Sequence, residues 1–227
     1  MRGLLIKAGL SISLGILSHN AFAGSKWELV SEKDGIKVYS KEVPGTDLIA
    51  FKGVKLMPVP IAKVAEVLLD DNPEKKKQWI DMIKEFKVLE MGKDQTVIYS
   101  AYDLPWPLSD RDYIIQSNLR IDNEANQVVI DLKSVEHPKS PNTIGVRAVL
   151  VRSLYRLVPK PGRMTEVTVE IQTDPKGELP KWLVNVIQKG WPANTLSKME
   201  LQALQPSTKE NLRIKTEFKG ANELATR

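Results

Sequence analysis

Few residues in this chain are of the kinds that carry catalysis. It has no cysteine and two histidines, His19 and His137. His137 precedes Pro138 in a turn-rich stretch, where a lone histidine is ordinarily a surface residue. Without cysteine there is no thiol nucleophile and no disulfide. No H-E-x-x-H spacing, no G-x-S-x-G elbow and no glycine-rich phosphate loop occurs. Asp110 and Asp112 flank Arg111 in "SDRD". Residues two apart on a strand share a face, so paired carboxylates there need a cation. The motif reads as a polar network that holds a loop at a strand start, rather than as a glycosidase acid pair. Lys75, Lys76 and Lys77 read as a solvated helix end, with contact to an anionic surface as the alternative. No catalytic set and no metal site are therefore expected.

One arginine stands out. In the strand expected over 145–158, Arg147 alternates with Val149, Val151, Ser153, Tyr155 and Leu157. That set has more apolar company than the opposite face, which carries Arg152 and Arg156. Arg147 is thus expected to point inward. A buried guanidinium is costly unless an acceptor meets it. The strand expected over 95–104 offers one, because Val97, Tyr99, Ala101 and Asp103 share a face. Two readings stay open. Arg147 either snorkels to solvent at the sheet's end or sets a polar group in an apolar ligand cavity.

The elements that must position these residues follow from periodicity. A short helical turn opens at "SKWELVSEKD", and strands follow from Ile36 and over 47–57. Ile61, Val64, Ala65, Leu68 and Leu69 form a helical stripe, and Pro73 starts a second helical piece ending near Trp79. Closely spaced strands are expected over 86–91, 95–104, 111–121, 127–136, 145–158 and 163–173, an antiparallel meander. On the last of these, Thr165, Val167, Val169 and Ile171 face one way. A long helix closes the pattern over 176–204. One antiparallel sheet with a terminal helix over its apolar face is an α+β domain.

The first residues read as an export signal. Arg2 and Lys7 precede a short apolar run, and Ala21-Phe22-Ala23 has cleavage-site form. Residues 1–23 are the expected signal peptide, 24–205 the domain and 206–227 a polar, loosely attached tail. A signal without a lipidation cysteine points to a periplasmic or secreted protein. The formal charge of +5 includes two signal-peptide cations. The mildly basic remainder permits transient contact with an anionic membrane surface and does not call for nucleic acid. A monomer is expected.

Three stretches together resemble the START family, the lipid-transfer domains related to the steroidogenic acute regulatory protein. They are "YDLPWPLSDRDYII" (Tyr102–Ile115), "HPKSPNTIGVRAVLVRSLYRLVP" and "TDPKGELPKWLVNVIQKGWPANTLSKM". The last includes a Gly-x-x-Pro-x-Trp-x-x-Asn opening, and the resemblance runs from Trp27 to Leu204. It implies a helix-grip fold, a curved antiparallel sheet around a long C-terminal helix, with a lipid-sized cavity between. It implies non-covalent binding of one lipid (a sterol, phospholipid or fatty acid) without a cofactor. Arg147 matches an arginine that, in family members, pairs with an acid inside the cavity. Ala101 stands where one member has its glutamate, and Asp103 is the candidate substitute. The alternative function is a hydrolase- or cyclase-like enzyme on the same grip.

The terminal helix then becomes the roof. Leu179, Trp182, Leu183, Val186, Ile187, Gly190, Ala193, Asn194, Ser197, Leu201 and Leu204 fall on one broad face. Its centre is small, which means tight contact with the sheet or a space beneath. Pro192 removes a helical hydrogen bond and is expected to bend the helix. The candidate cavity residues are Arg147, Asp103, Tyr99, Ala101, Val149 and Val151 from the sheet. Trp182, Val186, Gly190, Asn194 and Ser197 join them from the helix.

Overall fold

The computed structural model describes residues 26–106, 108–177, 179 and 181–223, without the side chains of 181–188 and 222–223. The expected signal peptide lies outside the described residues. Asp34 and Gly35 both have positive φ (52° and 72°), the two-residue turn that matches strand twist. It folds β1 (Glu28–Lys33) back on β2 (Ile36–Glu42). The helical turn expected before Asp34 is therefore a strand, because the hairpin turn sets its partner.

β3 (Ile49–Met57) follows, then helices α1 (Ile61–Leu69) and α2 (Pro73–Trp79). Asn72 caps α2 by accepting from Glu74 N and Lys75 N, with Pro73 in the first turn. Next come β4 (Ile83–Met91), β5 (Gln95–Tyr102), β6 (Arg111–Asp122) and β7 (Gln127–Ser134). The strand expected over 145–158 is divided. β8 (Val146–Arg147) pairs parallel with β6, and β9 (Val149–Lys160) pairs antiparallel with β7 and β10 (Met164–Asp174). The long helix α3 (Lys181–Leu204) is followed by α4 (Leu212–Glu217) and α5 (Gly220–Glu223).

The main path of the ten-stranded sheet is β1-β2-β3-β10-β9-β7-β6-β5-β4, an open order. One face carries the main core. Val38, Met57, Val128, Leu157, Val167 and Val169 pack against Val64 and Ala65 of α1 and Leu196, Met199 and Ala203 of α3. Gly53 is where helix and sheet come closest. A Cβ there would lie 2.8 Å from both Leu196 Cδ1 and Pro192 Cβ. The buried Pro192 ring thus lies on bare sheet backbone. Lys55 on the same strand pairs with Glu200 of α3 at 2.8 Å.

Two expectations change. The inward stripe of α3 is Pro192, Thr195, Leu196, Met199 and Ala203, whereas Gly190, Asn194, Leu201 and Leu204 are exposed and Ser197 is half-buried. Apolar residues lie all round this helix, so two stripes fit the 3.6-residue period. Contact with Gly53 and α1 selects the one carrying Pro192. Residues 206–223 of the expected tail also pack on the domain. Asn211 N donates to Ala62 O at 2.9 Å, the Asn211 side chain caps α4, and Ile214 and Phe218 are fully buried. The layout is α+β, an antiparallel sheet with a long C-terminal helix on one face.

Candidate functional site

Between that face and the helices lies a cavity of ≈ 270 Å³. Leu68, Leu69 and Trp79 of α1 and α2 form one wall, and Trp191 and Thr195 of α3 form the roof. Strand alternation supplies the floor. β5 sends in Thr96, Ile98, Ser100 and Tyr102, and β6 sends in Arg111, Tyr113, Ile115 and Ser117. Leu150, Ser153 and Tyr155 of β9 join them, with Ile130 and Leu132 of β7 and Ile171 and Thr173 of β10. Leu104 and Leu108 approach from the loop between β5 and β6, whose Trp106 is 92% exposed.

Polar groups in this apolar space are few. Lys76 is buried, and its Nζ donates to Leu68 O at 2.8 Å and Val67 O at 3.5 Å, with the Trp79 and Phe86 rings 5.6 Å away. Burial pulls its pKa down to about 8, against the raising fields of Asp71, Asp70 and Glu66. Burial likewise pushes the Asp71 carboxyl up. The Tyr102 hydroxyl is pushed up to about 12 by burial, and burial raises Tyr113 and Tyr155 too. Arg111 is 4% exposed. Its guanidinium donates to three backbone carbonyls, those of Ser109, Pro175 and Lys176. Among the described residues, the hydroxyl of Ser153 has no hydrogen-bond partner.

The sheet residues expected in the cavity lie elsewhere. Arg147 and its acid are on the reverse face. Its Nε donates to Asp112 Oδ1 at 2.6 Å, and its Nη2 to Asp112 Oδ2 at 3.4 Å and Pro141 O at 2.8 Å. Asp112 is fully buried and also accepts from Tyr99 Oη, Thr143 Oγ1 and Ile144 N. Asp112 follows Arg111 on β6, so when Arg111 faces the cavity Asp112 must face away. Asp103 is exposed in the loop, with its N–H on Met82 O. Tyr99 and Ala101 pack with Val97 and Ile114 in a second buried cluster. The sheet is dry on both faces here, so burial alone does not tell which alternate set of β5 faces the cavity.

β9 misleads for a different reason. Its pairing with β10 shifts register between Gln172 and Thr173, which leaves Val151 as an extra residue. A bulge swaps the faces. Leu150 faces inward before it and Ser153, Tyr155 and Leu157 after it, while Val151 is 43% exposed and Val149 half-buried outside the cavity lining. On α3, Gly190 and Asn194 face solvent and Ser197 does not reach the cavity. The side chains of Trp182 and Val186 lie outside the described residues. Arg111, Lys76 and Ser100 are among the cavity residues that pattern reading missed. The "SDRD" motif held the signal for the first, since Arg111, Tyr113, Ile115 and Ser117 alternate. Among the described residues no three His, Asp or Glu groups converge at metal-binding spacing. The arrangement suits an amphiphile whose chain fills the apolar floor and whose polar atoms meet the few buried donors.

Comparison with known proteins agrees. The START domain profile matches residues 16–210. An uncharacterised protein of Pseudomonas aeruginosa is 31% identical over 204 residues, covering 89% of this chain and 98% of the relative. The phosphatidylcholine transfer protein of Bos taurus is 30% identical over 187 residues, covering 81% of this chain and 86% of its own. Human STARD10 superposes with a TM-score of 0.71 at 27% identity, covering 82% of this chain and 76% of that one. On the profile match and these alignments, the chain belongs to the START domain family.

Proposed function

We propose that this protein binds a single lipid non-covalently in the cavity and carries it between membranes. The observation that carries the reading is a mostly apolar space with a few buried polar groups, roofed by α3. Each methylene buried there contributes about 0.8 kcal/mol, so an acyl chain alone supplies useful affinity. The ligand is a sterol, phospholipid or fatty acid, and the phosphatidylcholine transfer protein of Bos taurus names a phospholipid as one precedent. Trp106, exposed on the loop between β5 and β6 that borders the cavity, is the natural point of contact with a bilayer interface. The protein works as a monomer. It acts in the periplasm or outside the cell, a placement supported by the signal-like residues 1–23. Its work is binding and transfer, with no chemical step on the ligand.

The test is transfer of a fluorescent phospholipid, fatty acid or sterol from donor to acceptor vesicles. Stoichiometric uptake by the wild-type chain, lost in Ser153→Trp with folding intact, is the expected result. A panel of all three classes with no uptake would overturn the proposal.

A further inference from the structure

We propose that the cavity recognises an acidic group on its lipid, a carboxylate or phosphodiester, and that Arg111, Ser100 and Tyr102 bind it. The inference rests on the lipid-binding reading and narrows the ligand class.

Charge balance in the cavity is the starting point. Lys76 sits in the field of Asp71, Asp70 and Glu66, and the rim residue Asp81 is ion-paired with Lys198. Arg111 differs. All its acceptors are neutral carbonyls, and among the described residues no carboxylate makes an ion pair with it. A guanidinium has five N–H donors. Among the described residues three are used, which leaves two on a group that is 4% exposed and lines the cavity. A buried cation met only by dipoles keeps most of its desolvation cost, and an anion offsets it through charge-assisted hydrogen bonds.

The neighbours of Arg111 are donors. Tyr102 is its direct partner in the β5–β6 register, and Ser100 is the next inward residue along β5. The Ser100 hydroxyl is 2% exposed, lies beside the Tyr102 hydroxyl and, among the described residues, meets no charged group. Tyr102 remains a neutral hydroxyl at any physiological pH. One guanidinium and two hydroxyls on a shared stretch of floor suit an oxyanion, whereas a ligand with an uncharged head leaves Arg111 uncompensated.

The test compares matched ligands on the wild-type full chain. Oleate is set against methyl oleate, and dioleoylphosphatidylglycerol against dioleoylglycerol, in binding titrations. At least one acid should bind about tenfold or more tighter than its neutral partner, and the pair that discriminates identifies carboxylate or phosphodiester. Ratios within about twofold for both pairs would overturn the anion site and leave lipid binding intact. Binding of none of the four would overturn both. Arg111→Gln should bring the ratio to about one. Because Arg111 also holds loop carbonyls, the Ser100→Ala/Tyr102→Phe double variant is the second probe. Its ratio should fall about threefold or more with the melting temperature retained, and an unchanged ratio would overturn the assignment to this place.

Discussion

Replacing Lys76 by Met should stabilise the lipid-free protein at neutral pH, and the gain should vanish as pH rises. Lys76 is fully buried, and its pKa falls from 10.5 to about 8 through desolvation. At roughly 1.4 kcal/mol per tenfold, the charged form is disfavoured in the fold by about 3 kcal/mol. Below pH 8 both folded and unfolded chains carry the proton, so the whole cost is present. Between pH 8 and 10.5 the unfolded chain binds more protons than the folded one, so wild-type stability rises with pH. Met removes that cost and that slope. It also removes the donor to the Leu68 and Val67 carbonyls at the end of α1, a loss of about 1 kcal/mol. The expected gain at pH 7 is therefore about 2 kcal/mol, shrinking towards zero by about pH 9.5. The assay is urea unfolding of both proteins by tryptophan fluorescence from pH 7 to 9.5. Staying below pH 10 avoids the buried tyrosines, whose raised pKa values work in the opposite direction. A stability difference that does not change with pH would refute the buried, charge-disfavouring site.

Gly53→Val should cost about 2 kcal/mol in thermal or denaturant unfolding, since even a Cβ meets Leu196 and Pro192 at 2.8 Å. An unchanged midpoint would mean that α3 does not rest on β3. Arg147→Leu strands the fully buried Asp112 and should lower stability by about 3 kcal/mol, while lipid affinity of the folded fraction stays within about twofold. Affinity lost with stability intact would return Arg147 to the cavity. Trp106→Ala should slow vesicle-to-vesicle transfer about tenfold at unchanged equilibrium affinity, because an interfacial indole is removed from an exposed loop. Equal transfer rates would refute that contact.

The parts of the fold that obey a single local rule were legible. Thr165, Val167 and Val169 are inward on β10 because that strand runs in strict alternation opposite both neighbours. The Ile61, Val64 and Ala65 stripe is buried for the same kind of reason. The site was much less legible, and each miss has its own cause. Face assignment on β9 fails at Val151, where a bulge interrupts the period, and bulges leave no mark in composition. On β5 both faces are dry, so Tyr99 and Ser100 are equally buried and only three-dimensional context says which sees the cavity. On α3 the exposed Leu201 and Leu204 carry as much apolar weight as the buried Met199 and Ala203. The tail looked polar because two buried anchors, Ile214 and Phe218, suffice to dock a short segment. The requirement that a buried arginine find acceptors was sound; in the cavity it applied to Arg111, the first residue of β6.

Native mass spectrometry of the protein purified from its own host, followed by lipidomic identification of the released ligand, asks whether the cavity holds what its lining implies. The structure leads us to expect one acidic lipid per chain, lost on Ser153→Trp. A protein that emerges empty, and stays empty after incubation with host lipid extract, would contradict it.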